Sequence, residues 1–416
     1  MTLKKGTTVK STSRRKYRVE SMVATGGEGT TYQVTAKGTS DKWALKVFHP
    51  QYATDETAAR TKFLITSELW KLHPCLYGPR DQIRSRSLVG HATPWFDGVP
   101  LEEFLQGRPL SVSESLALAL QIVEAMAALH GAGIVHGDVQ SNNVMVAHGP
   151  GKPLSAAVID IDNFQTPGQP PPSMLGRELY LAPEARGARE AGTPFVPTLE
   201  SELFSLTALL YETMCWRHVA AGADGSPEEF DRTMRGGRWI HDPALSPLAY
   251  RHLGGVPAEA LNADLARLLR RGMSLEPSDR PSTGDWRQAI VGALQEVGDC
   301  ASCGQETIGD TSKNVCPYCG KAYPALALLV NGSTIPLRSA ATAVGRKDVG
   351  GADAVSLEHA VLYRRGPVYR IEDRSSNGTF RRADGSWIRL PKGQAIRVKE
   401  GDVLSFANVE ARVVQA

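Results

Sequence analysis

Residues 135–145 read VHGDVQSNNVM. Between apolar flanks, this stretch crowds together His136, Asp138, Gln140, Asn142 and Asn143. It follows the clearest helical pattern in the chain. From about Ser113 to His130, Leu116, Leu120, Val123 and Ala127 recur at three- and four-residue spacing and so share one buried face.

The chain has 416 residues, too many for one ordinary domain, which suggests two or three. Hydrophobic residues make up 42% and charged residues 22%, the composition of globular material. A net charge of +3 points to no polyanionic partner, so no nucleic acid is expected. No apolar run approaches the roughly 18 residues of a membrane span, and no apolar segment follows the basic N-terminus as in a secretory signal. Lys4, Lys5, Lys10, Arg14, Arg15, Lys16 and Arg18 stand among threonines and serines with no acid, so residues 1–16 read as a flexible basic tail. Cys75 and Cys215 are isolated and read as core thiols, whereas the other cysteines are closely paired, as in metal binding in a reducing, cytoplasmic setting.

Residues 17–297 form one large segment that opens with short strands and turns helical. A second helix is expected from Ser226, with Pro227 in its first turn and Glu229 closing a capping box. PGQPPPS at 167–173 marks an irregular loop. Residues 298–322 are too few for a hydrophobic core. Residues 325–416 alternate strand-like runs with turn clusters such as SSNG and ADGS, the pattern of a β-sandwich.

VATGGEGTTYQV at 23–34 places Gly26, Gly27 and Gly29 in a turn between strands, where backbone N–H groups can approach a triphosphate. A plain β-hairpin has the same signature. WALKVF then sets Lys46 in a strand of large apolar residues, and a buried lysine needs an anionic partner. Further along come ATPWFDGVPLEEFL (92–105), HGDVQSNN, AAVIDIDNF (156–164), GRELYLAPE (176–184), ESELFSLTALLYE (200–212) and EPSDRPS (276–282). In this order and spacing they resemble bacterial Ser/Thr protein kinases of eukaryotic type over residues 17–297.

The resemblance implies an α+β bilobal fold that binds ATP with Mg²⁺ or Mn²⁺ and phosphorylates a protein substrate. It implies that Gly26, Gly27, Gly29 and Lys46 hold the phosphates, that Thr93 is the gatekeeper, and that the backbone of Trp95 and Phe96 meets adenine. Asp138 takes the role of base, and Asn143 and Asp160 that of metal ligands. Arg280 is expected to pair with Glu184, and Glu202 stands where an Asp is usual. For the helix carboxylate that pairs with Lys46, Glu68 is preferred over Glu56. The departures are Ala24 at the first glycine, Gly137 for Arg, Gln140 for Lys, and Ile161 and Asp162 after Asp160. Gly137 removes the reader of a phosphorylated loop, and that loop has few acceptors (Thr166, Ser173), so packing is expected to hold it. Losing a cation at 140 costs on the order of 2–4 kcal/mol of transition-state stabilisation unless an arginine compensates. Asp162 either reaches a second Mg²⁺ through water or caps the next turn. Two other readings share the fold. One is a weakly active pseudokinase scaffold acting as a phosphopeptide adaptor. The other is a small-molecule kinase of the aminoglycoside or choline type, whose loop is similar but which lacks LYLAPE and DRPS.

CASC and CPYC place Cys300, Cys303, Cys316 and Cys319 as two C-x-x-C turns, a strong signal for a structural Zn²⁺ site resembling a zinc ribbon. VGRK (344–347), SLEH (356–359), DRSSNGTF (373–380) and EGDVLSFA (400–407) resemble a forkhead-associated domain, an all-β sandwich that binds phosphothreonine peptides. On that resemblance Arg346, Ser356 and Ser376 grip the phosphate and Asn377 the peptide backbone, while His359 braces the loops. The partner would be a phosphothreonine protein, or the chain's own tail phosphorylated at Thr7, Thr8 or Thr12. Kinases of this layout also resemble ones that accompany a von Willebrand-type protein and a metal-dependent phosphatase.

Overall fold

The computed structural model describes residues 2–85, 88–107, 110–149, 152–166, 176–220, 226–237, 260–350 and 353–416. The expected loop at 167–173, including Ser173, lies outside the described residues. The chain forms two compact units. One comprises Met1–Leu110, Glu114–Val256 and Arg267–Ile290, and the other Ser111–Ser113, Pro257–Ala266 and Val291–Ala416.

The first unit opens with an antiparallel sheet of β1 (Thr8–Lys10), β2 (Lys16–Thr25), β3 (Gly29–Ala36), β4 (Lys42–Phe48), β5 (Asp81–Arg84) and β6 (Val89–Pro94), in the order β1-β2-β3-β4-β6-β5. Alternate residues such as Tyr17 and Val19, Tyr32 and Val34, and Leu45 and Val47 point into one apolar layer. Helix α1 (Asp55–Thr66) is capped by Thr54, whose hydroxyl accepts the Thr57 N–H at 3.1 Å.

The flexible tail expected over residues 1–16 is instead part of this sheet. Val9 pairs with Tyr17 and is buried, and the buried Leu3 donates its N–H to the Tyr32 hydroxyl at 3.0 Å. Thr12 N–H bonds the Gln82 carbonyl at 2.8 Å, and Ser13 bonds Asp81 at 2.9 Å. Composition misleads here because a three-residue edge strand needs only one or two inward apolar residues while its charges face water.

A three-stranded sheet follows, β7 (Val99–Pro100), β8 (Val144–Gly149) and β9 (Lys152–Val158), with helices α2 (Leu101–Gly107), α3 (Val112–Gly131), α4 (Pro183–Glu190), α5 (Leu199–Cys215) and α6 (Pro227–Arg235). The expected caps are seen: Ser226 accepts the Glu229 N–H, and Thr198 and Ser201 form a capping box on α5. By length and composition α3 could cross a membrane, against the expectation that no segment is apolar enough. Half of its most apolar window is buried, with Leu116, Leu118, Ile122, Val123 and Leu129 in the interior, the signature of a core helix.

In the second unit β10 (Val297–Asp299) pairs with β11 (Glu306–Ile308) beside the cysteine turns. A sandwich follows, built from β12 (Leu326–Val330), β13 (Ser333–Pro336), β14 (Ala341–Val344), β15 (Ala360–Arg365), β16 (Val368–Asp373), β17 (Thr379–Ala383), β18 (Ser386–Arg389), β19 (Ala395–Val398), β20 (Val403–Phe406) and β21 (Val409–Gln415). One sheet runs β13-β12-β21-β20-β17-β18 and the other β14-β15-β16-β19, enclosing Leu328, Leu362, Ile371, Leu404, Phe406 and Val413. The cysteine segment packs on this sandwich. Arg397 donates to the Val297 carbonyl at 2.7 Å and Arg364 to the Tyr323 carbonyl at 3.2 Å.

Candidate functional sites

The stretch 135–145 is an irregular loop between α3 and β8, fastened from below by Glu202 of α5. One Glu202 oxygen accepts the Gly137 N–H at 2.7 Å and the other meets His130 at 2.7 Å. Gly137 has φ +83°, and a Cβ there would lie 2.2 Å from the Asn163 carbonyl oxygen. The absence of an arginine at this position is therefore enforced by the backbone. The Asp138 carboxylate accepts from Gln140 at 2.7 and 2.8 Å, from Asn143 Nδ2 at 2.8 Å and from the Arg177 N–H at 3.2 Å. Gln140 thus fills the lysine's place with an amide clamp on the expected base. Asn143 spends its nitrogen on Asp138, so its oxygen is the end available to a cation.

Lys46 on β4 reaches the turn after β9. Its Nζ lies 2.8 Å from Asp160 Oδ1, 2.7 Å from Asp162 Oδ2 and 3.7 Å from Glu28 Oε2. Burial alone would push the Lys46 ammonium down, but Asp160 and Asp162 outweigh it and hold it well above its ordinary value. Burial likewise opposes ionisation of Asp162, yet His91 and Lys46 hold its carboxyl well below the usual range. Burial pushes Glu28 up against the pull of Lys46. Asp160 adopts a left-handed conformation (φ 61°), and Ile161 and Phe164 beside it are buried.

The expected Lys46–Glu68 pair is not formed. Glu68 lies beyond the end of α1, is half exposed, and pairs with Lys71 at 2.6 Å. Glu56, the other candidate, stands in the first turn of α1. The α1 side chain that faces the turn is the buried Arg60. It donates to the carbonyls of Asp162 (3.1 Å) and Phe164 and lies over the Phe164 ring. Asp162 makes no capping bond at the next turn; its Oδ2 goes to Lys46 and His91, and its Oδ1 has no partner among the described residues.

Gly26 and Gly27 are exposed in the turn joining β2 to β3, and Gly29 opens β3. The Gly26 N–H is spent on the Gly29 carbonyl at 2.9 Å and its carbonyl meets His49 at 3.1 Å, so the turn is closed on itself. Thr93 lies on β6 opposite Ala44. Trp95 N–H is committed to the Lys42 carbonyl at 3.1 Å, so of its peptide groups only the carbonyl remains for adenine. The Phe96 ring packs edge-on against Tyr77.

Packing and ion pairs hold the segment 176–184. Arg177 pairs with Glu102 at 2.7 Å, and Ser205 donates to the Tyr180 carbonyl at 2.7 Å. The Tyr180 hydroxyl meets Ser141 at 2.9 Å and donates to the buried Glu212. Arg280, buried, forks onto both oxygens of Glu184 at 2.6 and 2.9 Å.

In the second unit the Sγ atoms of Cys300, Cys303, Cys316 and Cys319 all lie within 4.8 Å of one another. Two of the pairs are 3.8 and 3.7 Å apart. Thiolates at about 2.3 Å around a tetrahedral ion have edges of about 3.8 Å, so this donor set fits a metal. At one end of the sandwich, the loops bearing Arg346, Ser356, Ser376 and Asn377 come together. Ser356 accepts the Ser376 N–H at 3.3 Å, and Asn377 donates to the Ala354 carbonyl at 2.7 Å. The buried His359 accepts the Ser356 N–H and contacts the Gly378 carbonyl, joining both loops. The Arg346 guanidinium bonds the carbonyls of Val355 and Asp353, each at 2.9 Å. Leu357 is exposed beside it.

Arg60, His91 and Glu28 belong to the site although no sequence motif singled them out. No sign in the sequence separates Arg60 from Lys62, two residues further along the same helix. His91 could have been found from the register that sets it opposite Lys46.

Residues 17–291 match the family model described as the protein kinase domain. The chain is 25% identical over 210 residues to the probable serine/threonine-protein kinase PknB of Lactococcus lactis, covering 48% of this chain and 31% of that protein. It is 23% identical over 309 residues to the serine/threonine-protein kinase PkaA of Streptomyces coelicolor, covering 70% of this chain and 52% of that one. The chain therefore spans about half or less of the length of these curated relatives. The solved PknI kinase domain of Mycobacterium tuberculosis, a double mutant, aligns with a TM-score of 0.47 at 21% identity, covering 70% of this chain and 98% of that one. Since the family match covers well over half of the chain, this protein belongs to the protein kinase family.

Proposed function

We propose that the chain is an ATP- and Mg²⁺-dependent Ser/Thr protein kinase whose C-terminal, forkhead-associated-like sandwich binds phosphothreonine peptides. The observation that carries the catalytic half is the convergence of Lys46 on Asp160 (2.8 Å) and of Asn143 on Asp138 (2.8 Å). Phosphoryl transfer is mostly positioning and charge stabilisation, so these residues supply what it needs. Asp138 accepts the proton of the attacking hydroxyl and Lys46 holds phosphate oxygens. The Asn143 oxygen and Asp160 would hold Mg²⁺, which supplies charge neutralisation on the phosphates when bound. The Glu184–Arg280 pair and the anchored Tyr180 support a platform for a protein substrate over a small molecule. The four cysteines favour Zn²⁺ in a structural role, since all four ligand positions come from protein, and cysteines free of disulfides suit a cytoplasmic chain. A phosphothreonine protein is the proposed partner of Arg346. A von Willebrand-type protein and a metal-dependent phosphatase are proposed on resemblance alone. Docking of the chain's own phosphorylated tail is not proposed, because residues 8–10 form an edge strand.

The test is incubation with labelled ATP and Mg²⁺, followed by location of the modified residues. Wild type transfers label to Ser or Thr, while Asp138→Asn and Asp160→Ala do not and still melt cooperatively. Label persisting in both variants would refute the active site. Phosphothreonine peptides bind wild type and not Arg346→Ala; equal binding would refute the reader.

A further inference from the structure

The carboxylate that orients a nucleotide-binding lysine is usually sought on the neighbouring helix, and here α1 offers a cation instead. We propose that Asp162, steadied by His91, is the positioning residue for Lys46, and that Arg60 lets α1 grip the turn carrying Asp162 and not the lysine itself. The proposal rests on the kinase reading of the site.

Three carboxylates approach Lys46, and two are poorly suited to hold it. Asp160 is the expected metal ligand and is 40% exposed, so its oxygens have another claim on them. Glu28 stands 3.7 Å away on the glycine turn. Asp162 is 9% exposed and 2.7 Å away, and its Oδ2 is shared with His91 Nε2 at 3.0 Å. His91 stands directly across from Lys46 in the β4–β6 register, so the two side chains leave the sheet on the same face and meet one oxygen. The buried bond has little freedom to re-form elsewhere.

Arg60 completes the arrangement. It is buried on α1 and fastens to the carbonyls of Asp162 and Phe164, while Phe63 stacks on Phe164 at 5.2 Å. The helix therefore acts on the backbone of residues 162–164. Lys46 and the expected metal ligand Asp160 are both positioned by this one turn. A carboxylate at position 60 would face the carbonyl oxygens of Asp162 and Phe164, acceptors that give it no bond, so a cation suits the turn.

The test compares Asp162→Asn, Glu28→Gln and Arg60→Met in the full chain. It measures MgATP affinity by calorimetry, turnover by phosphate transfer, and folding by thermal melt. Asp162→Asn is expected to lower kcat/KM for ATP by roughly 30-fold or more and to weaken MgATP binding about tenfold, as for loss of one preorganised charge contact. Glu28→Gln is expected to cost about threefold or less at its longer distance. Arg60→Met keeps the Asp162 carboxylate and should still weaken MgATP binding about threefold or more, because the turn carrying it is released from α1. The proposal is overturned if Asp162→Asn stays within about twofold of wild type in both measurements, or if Glu28→Gln matches its loss. A cooperatively melting Arg60→Met with MgATP affinity within about twofold of wild type overturns the role given to α1; if Arg60→Met does not fold, the other two variants decide on Asp162. Wild type that binds MgATP but transfers no phosphate refutes the kinase reading alone, and the affinity comparison still decides on Asp162. Wild type that binds no MgATP overturns both.

Discussion

Restoring a side chain at Gly137 should damage this protein, although the family resemblance makes an arginine there look like a repair. The residue sits at φ +83°, which costs an L-residue about 1–2 kcal/mol. A Cβ would also lie 2.2 Å from the Asn163 carbonyl oxygen and 3.1 Å from its carbon. Relieving that overlap requires the catalytic loop and the 160–164 turn to separate by roughly 1 Å, and such overpacking costs about 1–3 kcal/mol. Gly137→Ala should therefore lose about 2–5 kcal/mol, a fall in melting temperature of roughly 5–15 °C for a unit of this size. The same displacement moves Asp138 away from Asp160, and misplacement on that scale costs about 100-fold in rate. Gly133 provides the control. It has φ +72° with nothing within 4 Å of its missing Cβ, so Gly133→Ala carries the backbone cost without the clash. Calorimetric melting and phosphate transfer on both variants separate the two effects. If Gly137→Ala melts within about 2 °C of Gly133→Ala and keeps wild-type transfer, the steric reasoning is wrong.

Burial pushes Glu212 up to about 7, against the bond it accepts from Tyr180. Between its ordinary value and 7 the folded state binds the extra proton, so this stability is present below about pH 4.5 and is lost as pH rises through 7. Melting temperatures from about pH 5 to 8 should therefore show Glu212→Gln gaining on wild type as pH rises; parallel curves would contradict this. Glu184→Ala strands the buried Arg280 guanidinium and should cost about 3–5 kcal/mol by denaturant titration, and a loss under about 1 kcal/mol would show the pair to be dispensable. Metal analysis should find about one zinc per chain. Chelation should unfold residues 298–322 while leaving the melting of the kinase unit in place.

The order of elements and the catalytic loop were legible because their chemistry fixes residue types at short spacings. Asp138 and Asn143 lie five apart, and they meet in space because a single loop carries both. The two C-x-x-C turns are legible for the same reason, since each tight turn holds two sulfurs without help from elsewhere. The N-terminal strand was not legible. Leu3 and Val9 are scattered apolar residues in a basic stretch, and what buries them is Tyr32 and the β2 edge, supplied from further along the chain. Composition measures a segment alone, whereas an edge strand borrows its core.

The partner of Lys46 marks the limit of reading by analogy. A negative charge beside a buried lysine is a physical requirement, but its position in sequence is not. Searching for a glutamate after the lysine yields Glu56 and Glu68 because the search presumes the helix supplies it. In the folded chain Asp162 supplies the charge from a position where glycine is usual in the resembled motif, and the α1 residue that faces it is a cation bound to backbone. An aspartate at 162 without Lys46 and His91 would be a buried unpaired charge, and an arginine at 60 without the carbonyls of 162 and 164 would be another. The Asp162 charge is met by Lys46 and His91, and the Arg60 charge by backbone carbonyls of the same turn, so this one turn gathers both buried charges. The consequence is specific: Asp162→Gly, which restores the residue usual in the resembled motif, and Arg60→Glu, which sets a carboxylate against two carbonyl oxygens, should each impair MgATP binding, and calorimetry that finds wild-type affinity in either would refute the reasoning.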